Sequence, residues 1–268
     1  MKLTVLMDNN TYIDAYYLGE PGACYYMEDG DAKVLLDTGY SDAFLKNAEA
    51  MGIDLSQLTH IVFSHGHDDH TRGLKFLQEK FDLSQVEIIA HPECFYMREE
   101  DGVKFGPPYT AEEVSSFAKL TLTKEPLKIT EHLTYLGEIE NTFSHEERRA
   151  LGKRETEEGW VDDYCYDDSA LSYESEEGLF IITGCSHSGI CNITKQAKQI
   201  CGDDRIAGIL GGFHLFDVDE RLRGTIDYLE SCNIKNFYPC HCVSLKAKAK
   251  MMEKLDVQEV GVGLQLEI

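Results

Sequence analysis

The chain has 268 residues, of which 43% are hydrophobic and 27% are charged, and its formal net charge is −23. Such a composition is typical of a folded globular protein and excludes a disordered chain. The negative charge argues against nucleic acids and anionic membranes as partners, because both repel an acidic surface. No apolar run reaches the length of a membrane span, and the first residues lack a signal-peptide core. We therefore expect a cytoplasmic protein, in which the odd number of cysteines, nine, favours reduced thiols.

Apolar runs and turn residues predict alternating strands and helices in the first half of the chain. The expected strands cover residues 3–7, 23–27, 33–39, 61–63 and 86–90. The second and third of these flank an Asp-Gly turn at Asp29 and Gly30, which is typical of a hairpin. We expect helices at 41–52, with Ser41 as the cap and Gly52 at the end, and at 73–77. This alternation favours helices that pack on the faces of a sheet.

Three histidines and an aspartate follow the strand at 61–63. They are His65, His67, Asp69 and His70. Such a group is difficult to explain as packing, because a protein core contains few polar groups without partners. Imidazole and carboxylate are ligands of zinc and similar divalent ions. A solvated polar loop is the alternative interpretation, but the density of ligand types within six residues predicts a metal site.

The second half of the chain repeats one pattern three times, a predicted strand followed by cysteine or histidine. The strands at 178–183, 206–210 and 236–238 lead to Cys185 and His187, to His214, and to His241. Helices are expected at 190–200, 220–232 and 245–255. In α/β sheets, binding sites collect beyond the carboxyl ends of the strands. Together with the strand before the histidine loop, four strand ends should bring histidines to one edge.

The order His65-x-His67-x-Asp69-His70 after a strand resembles the signature of the metallo-β-lactamase fold, a family mostly of hydrolases with one or two metals. The resemblance implies an α/β fold of four layers, an αββα sandwich, that forms a single domain over residues 1–268. It implies that His65 and His67 bind the first metal, and that Asp69 and His70 bind the second. The run Leu-Leu-Asp37-Thr-Gly also resembles the family, and Asp37 is expected to brace the metal loop rather than to bind metal.

The remaining ligands follow the family pattern with one departure. His241, at the end of the last strand, matches the last ligand of the family. Most hydrolases of this fold have Thr-Gly-Asp at the bridging position, but this chain has Thr183-Gly184-Cys185. A thiolate binds zinc well. Cys185 and His187 are therefore both candidate metal ligands.

Further side chains are candidates for contact with the substrate. His91 ends a predicted strand, and His214 follows two glycines, where it could bind a phosphate, donate a proton or only cap the strand edge. Ser186 and Ser188 precede a predicted helix, whose free amides form an anion site unless the serines are ordinary helix caps. Asp69 and His214 are the candidate catalytic residues.

The segment at 140–160 leaves two interpretations open. It is crowded with charge and contains the only tryptophan, Trp160. A charged segment is usually a solvated face. Its place between the halves of the fold resembles an inserted lid or substrate-facing loop.

Three motifs narrow the resemblance to one branch of the family. They are Gly-Cys-Ser-His-Ser-Gly-Ile, Gly-Gly-Phe-His-Leu and Pro-Cys-His-Cys, and they begin at residues 184, 211 and 239. This branch includes the methanogen ribofuranosylaminobenzene 5'-phosphate synthase, a 7,8-dihydropterin-6-methyl transferase. The similarity covers nearly the whole chain except the region around 140–159.

These features together predict a metal-dependent hydrolase that uses two divalent ions to activate water against a small phosphorylated or anionic metabolite. Zinc is the first choice of ion, with Mn²⁺, Fe²⁺ and Mg²⁺ as alternatives. A transferase that joins a dihydropterin diphosphate to an aryl-amine ribose phosphate is the second hypothesis. A metal sensor or redox protein without hydrolytic activity is the third. The sequence leaves the oligomeric state open.

Overall fold

The secondary structure consists of seven α-helices, two 3₁₀ turns and seventeen strands, described here from a computed structural model that covers residues 1–268. The helices are α1 (Ala43–Ala50), α2 (Asp68–Thr71), α3 (Leu74–Lys80), α4 (Ala111–Ser115), α5 (Ile190–Cys201), α6 (Glu220–Ser231) and α7 (Leu245–Met251). The 3₁₀ turns cover Leu55–Gln57 and Ser144–Glu146.

The strands are short, and they carry more of the buried apolar residues than the helices do. They are β1 (Lys2–Met7), β2 (Cys24–Asp29), β3 (Ala32–Leu36), β4 (His60–Val62), β5 (Glu87–Ala90), β6 (Arg98–Glu100), β7 (Val103–Lys104), β8 (Lys119–Leu122), β9 (Leu127–Lys128), β10 (Leu133–Tyr135), β11 (Lys153–Thr156), β12 (Gly159–Asp162), β13 (Ala170–Ser175), β14 (Gly178–Thr183), β15 (Ile206–Gly211), β16 (Asn236–Pro239) and β17 (Gln265–Glu267).

The residues group into two compact units. The first unit comprises Met1–Lys124, Arg149–Asp167 and Gly261–Ile268, and the second comprises Glu125–Arg148 and Asp168–Val260. Each unit has its own sheet and its own hydrophobic core.

The first unit contains a seven-stranded sheet in the order β17-β1-β2-β3-β4-β5-β8. Strands β1 to β3 pair antiparallel, and β2 and β3 form the expected hairpin with Gly30 at φ 58° in the turn. From β3 to β8 the pairing is parallel, with Leu36 opposite Val62 and Val62 opposite Ile89. Parallel strands place their carboxyl ends at one edge, and this arrangement positions the histidine loop.

Helix α1 closes one face of this sheet with Phe44 and Ala48. The Ser41 hydroxyl accepts the amide of Ala43 at 3.1 Å, and Gly52 follows the helix at φ 72°. The cap position of the helix start is Asp42, whose side chain makes no capping hydrogen bond, so the prediction of Ser41 as the cap is wrong by one residue, whereas the predicted glycine end is confirmed.

The charged segment of the sequence contains a hairpin. Strands β11 and β12 pair antiparallel, and β11 also pairs with β6 in a small four-stranded sheet of the order β12-β11-β6-β7, which lies within the first unit. Trp160 on β12 is 39% exposed. A role for residues 140–160 as a lid stays a prediction.

The second unit contains a six-stranded sheet in the order β16-β15-β14-β13-β10-β9. Strands β14, β15 and β16 are parallel, and Thr183, Gly211 and Pro239 lie in register at their ends. The expected histidine-bearing strand ends therefore share an edge here. The expectation of one edge for all four strand ends is wrong, because the histidine loop follows a strand of the other sheet.

Helices α5 and α6 begin and end within about one residue of the expected bounds, but α7 ends at Met251 rather than near residue 255. Residues 252–254 continue as turns. Leu255 still packs into the core of the second unit. The apolar pattern that predicted the helix therefore continues beyond the end of the helix.

Candidate metal centre

Three strand ends of the first unit converge on the histidine loop. Asp37 follows β3, the loop from Ser64 to His70 follows β4, and His91 follows β5. These strands are adjacent and parallel, so the three segments leave the sheet at the same edge. The polar residues that follow these three strands therefore lie at the same edge of the sheet in the first unit.

Asp37 anchors the histidine loop through hydrogen bonds at both ends of the loop. Its carboxylate accepts the Ser64 amide at 2.8 Å, the Ser64 hydroxyl at 2.7 Å and Nδ1 of His70 at 2.6 Å. Its side chain is fully buried, and its backbone has φ 60°, a conformation that aspartate adopts more readily than most residues. This is the bracing position that the family resemblance implied for Asp37.

These hydrogen bonds determine which nitrogen of each histidine ring carries the proton. Because the Ser64 hydroxyl donates to Asp37, it accepts at 2.9 Å from Nδ1 of His65. His70 likewise uses Nδ1 toward Asp37. Both rings therefore present Nε2 as a lone pair, which is the orientation that a metal ligand needs. Asp69 lies 3.6 Å from Nε2 of His70.

The three imidazoles are close together. The ring centre of His65 lies 4.5 Å from that of His67 and 4.2 Å from that of His70. Burial, reinforced by the charge of Arg98, lowers the pKa of His67 to about 3. The neutral form of His67 is thereby favoured, and neutral imidazole is the form that binds metal.

A buried arginine fixes the other side of the loop, and sequence reasoning missed it. Arg98 donates to Asp163 at 2.8 Å and to Asp167 at 2.7 Å, and the same oxygen of Asp167 accepts the Gly66 amide at 2.8 Å. A Cβ at Gly66 would overlap the carbonyl of Cys94 and the guanidinium of Arg98. Glycine is therefore required between the two histidines. No local motif marks this network, because its members are separated by 65 to 101 residues.

In the second unit, the loops after β14, β15 and β16 carry the predicted side chains Cys185, His187, His214 and His241. The ring centres of His187 and His214 lie 4.4 Å apart. Cys185, His187 and His241 are buried, whereas His214 is half-buried. Nδ1 of His214 has no hydrogen-bond partner. An imidazole nitrogen left without a partner is available to a ligand or a proton.

Cys242 joins this group, although the sequence analysis did not select it. The ligand atoms of Cys185, His214 and Cys242 all lie within 4.8 Å of one another. A Cβ on Gly212 would lie 2.5 Å from the Cys242 sulfur, so Gly212 makes room for this thiol. Burial alone would raise the pKa of Cys242, but contacts with Cys185 and His214 and the charge of His241 hold it well below its usual value.

Backbone strain concentrates at these loops. Eight residues other than glycine have positive φ. Two of them, Asp37 and Cys165, lie in the first unit beside the histidine loop or its supporting network, and three lie in the strand-end loops of the second unit: Ser186, His214 and His241. Each such conformation costs roughly 1–3 kcal/mol and persists because the surrounding structure imposes it, and such costs are commonly found at functional sites.

The start of α5 differs from the expected anion site. The amides of Cys191 and Asn192 each donate at 3.0 Å to the carboxylate of Glu146, which is buried. Ser186 donates to the Gly212 carbonyl at 2.6 Å, and Ser188 bonds to Asp168 through both its amide and its hydroxyl. Neither serine caps α5, so the interpretation of the serines as helix caps is wrong, and two amides of the helix start that an anion could use are already bound by Glu146. Their contact with substrate stays a prediction.

Glu146 is therefore expected to stabilise the second unit. Glu146→Ala would leave two buried amides without an acceptor, at a cost of about 1–3 kcal/mol in the free energy of unfolding measured with urea. The exposed neighbour Glu147 supplies the control, since Glu147→Ala removes the same carboxylate without touching α5. Equal effects of the two variants would contradict this role for Glu146.

His91 lies at the expected strand end, but its side chain is fully buried, and Nδ1 accepts the Glu93 amide at 3.1 Å. A contact between His91 and substrate stays a prediction.

Comparison with known proteins identifies the class. Residues 17–191 match the family model described as the metallo-beta-lactamase superfamily. The chain belongs to this superfamily. The predicted fold class is confirmed, since a crystal structure described as a metal-dependent hydrolase of the beta-lactamase superfamily superposes with a TM-score of 0.86 and 27% identity, over 100% of this chain and 99% of that one.

Two curated relatives come from Methanocaldococcus jannaschii. One, 7,8-dihydropterin-6-methyl-4-(beta-D-ribofuranosyl)-aminobenzene-5'-phosphate synthase, is 30% identical over 86% of this chain and 83% of its own length. The other, an uncharacterised protein, is 30% identical over 94% of both chains. The resemblance to the synthase branch is thereby confirmed.

The comparisons indicate an enzyme with a small-molecule substrate. The superfamily is usually metal-dependent, and this chain has histidine and cysteine groups suited to metal. None of its helices is long and apolar enough to cross a membrane.

Proposed function

We propose that the protein is a metal-dependent hydrolase that acts on a small phosphorylated or otherwise anionic metabolite. The observation that carries this proposal is the orientation of the imidazoles around Asp37. Two histidines turn Nδ1 toward the Ser64–Asp37 pair, so Nε2 is the unprotonated nitrogen of each ring, which is the arrangement that a protein builds around metal-binding histidine. The similar crystal structure described as a metal-dependent hydrolase supports the same conclusion.

The proposed metal ligands are those that the sequence indicated: His65, His67, Asp69 and His70 in the first unit, and Cys185, His187 and His241 in the second. Imidazole, carboxylate and thiolate together suit two divalent ions, with zinc as the first choice. When bound, such ions lower the pKa of water and polarise the bond to be cleaved.

The side chains have complementary roles in this proposal. Asp69 is partly exposed, and one of its carboxylate oxygens lies 3.6 Å from Nε2 of His70, so it is placed to accept a proton if its bond to metal is weak. His214, with Nδ1 free of hydrogen bonds, is the candidate donor of a proton to the leaving group. Ser186, Ser188 and His91 are proposed to orient the anionic substrate.

A transferase is the second candidate, because the curated relative with 30% identity is a synthase. In that reaction the same ligands would hold ions against the diphosphate of a dihydropterin, and the amine of an aryl ribose phosphate would be the nucleophile. The net charge of −23 disfavours nucleic acid and membrane partners in both cases.

Turnover assays separate the two reactions. A hydrolase loaded with zinc should cleave generic phosphodiester or ester substrates, and removal of the metal with a chelator should abolish the cleavage. Elemental analysis of the purified protein identifies the ion. The hydrolase proposal fails if every such substrate is inert and turnover requires a pterin diphosphate paired with an aryl amine.

A further inference from the structure

Cys165 places its thiol beside the metal-binding loop of the first unit. Its sulfur lies 3.7 Å from Nε2 of His67. Zinc binds histidine nitrogen at about 2.0–2.1 Å and cysteine sulfur at about 2.3 Å, so two such ligands at a tetrahedral angle are about 3.6 Å apart. The observed separation therefore suits two ligands of one ion.

The backbone of Cys165 is held in a conformation that cysteine avoids. Its φ is 49°, in the left-handed region, which residues other than glycine, asparagine and aspartate rarely adopt. The Cys165 amide donates to Oδ1 of Asp163 at 2.9 Å. The other oxygen of Asp163 accepts from Arg98 at 2.8 Å. A buried charge pair thus imposes the strain and aims the thiol.

The same arginine fixes the distance between the thiol and the histidine loop. Arg98 also binds Asp167, and Asp167 accepts the amide of Gly66, the residue before His67. Cys165 lies between Asp163 and Asp167 in the chain. The thiol and the imidazole are therefore attached to one buried network, a supporting structure of the kind that gives metal ligands their precision.

We propose that the Cys165 thiolate is a ligand of the ion that His67 binds, in addition to the ligands that the family pattern supplies. This inference rests on the proposed metal-dependent function. On coordination a sulfur–metal bond forms, and the thiol proton is released to the solvent. A thiolate makes the site softer, so zinc is favoured there over Mg²⁺ or Mn²⁺.

The test compares variants by zinc affinity and by the near-ultraviolet absorption that thiolate gives to bound Co²⁺. Cys165→Gly is the sharpest variant, because glycine adopts φ 49° without strain and the backbone position is kept. Cys165→Ser retains the size of the side chain. Each is expected to weaken zinc binding by about 100-fold or more, since loss of supporting residues alone costs 10–100-fold. Each should also remove the part of the thiolate-to-cobalt absorption that Cys165 contributes. Cys185→Ser should leave that part in place.

Cys24 provides a matched control. It is fully buried in the core of the first unit, on β2, and belongs to none of the groups of histidine, cysteine and carboxylate whose ligand atoms lie close together. Cys24→Ser should keep the affinity and the band. Urea unfolding of chelator-treated protein checks that each variant is folded.

The outcomes are distinguishable. Wild-type affinity and an undiminished cobalt band in folded Cys165→Gly and Cys165→Ser would overturn the role of Cys165 and leave the proposed function standing. Equal losses in Cys24→Ser would also overturn it, because the effect would then belong to any buried thiol. If the wild-type protein binds no zinc or cobalt, the proposed function itself fails, and the ligand role of Cys165 fails with it.

Discussion

The double substitution His65→Ala/His67→Ala is expected to abolish metal-dependent turnover in a protein that remains folded. The two rings are candidate ligands separated by one residue in the sequence, and their ring centres are 4.5 Å apart. A metal ion contributes several kcal/mol of transition-state stabilisation, so its loss should lower kcat/KM by roughly 10³-fold or more. The measurement is turnover at saturating zinc, together with the metal content of the purified variant.

His60 gives a matched control for this experiment. It lies at the opposite end of the same strand, β4, and its ring contacts the hydroxyl of its neighbour Thr59 at 2.8 Å. His60→Ala should change kcat/KM by less than about threefold, because an ordinary substitution away from the site has a small effect on the folded structure. Normal metal content and turnover in the double variant would contradict the assignment of His65 and His67 as ligands.

Arg98→Met is expected to cause the largest loss of stability. It would leave Asp163 and Asp167 buried without their cation, and breaking a buried ion pair in this way costs about 3–5 kcal/mol. The measurement is the free energy of unfolding in urea at pH 7. Arg205→Met is the control, since Arg205 also lies 2.7 Å from an aspartate, Asp203, but is 62% exposed. An exposed pair contributes about 0–1 kcal/mol.

The loss should depend on pH in a defined direction. Burial alone would raise the pKa of Asp167, but the charge of Arg98, together with smaller contributions from His67, His91 and the Gly66 amide, outweighs burial and lowers the pKa. A carboxyl with a lowered pKa stabilises the fold above its unfolded value of about 3.9, and this contribution disappears as the pH falls through the folded value. The difference between wild type and Arg98→Met should therefore be largest at neutral pH and shrink below about pH 4. A difference that is constant with pH would show that lost packing, not charge, explains the effect.

Much of the fold was readable from local patterns. The hairpin of β2 and β3, the strand Gly178–Thr183 and helix α5 lie close to where apolar runs and turn residues placed them. Local signals work here because each element needs only its own hydrophobic pattern and its own end residues. The same holds for the histidine loop, whose residue types express a chemical requirement within six positions. Helix α7 was predicted too long because Leu255, which lies beyond the helix, is apolar and packs into the core.

The sequence by itself therefore determined the family, the strand ends and the residue types offered to a metal. Only the tertiary structure decided which groups support them. Asp37 orients His70 across 33 residues, Arg98 joins Asp163 and Asp167 across more than 60, and Glu146 caps a helix that begins 44 residues later. Such contacts bring together single polar residues from distant segments, and no period or spacing records them. The histidine loop is for this reason visible in the sequence, whereas the thiol of Cys165 beside it is visible only in the fold.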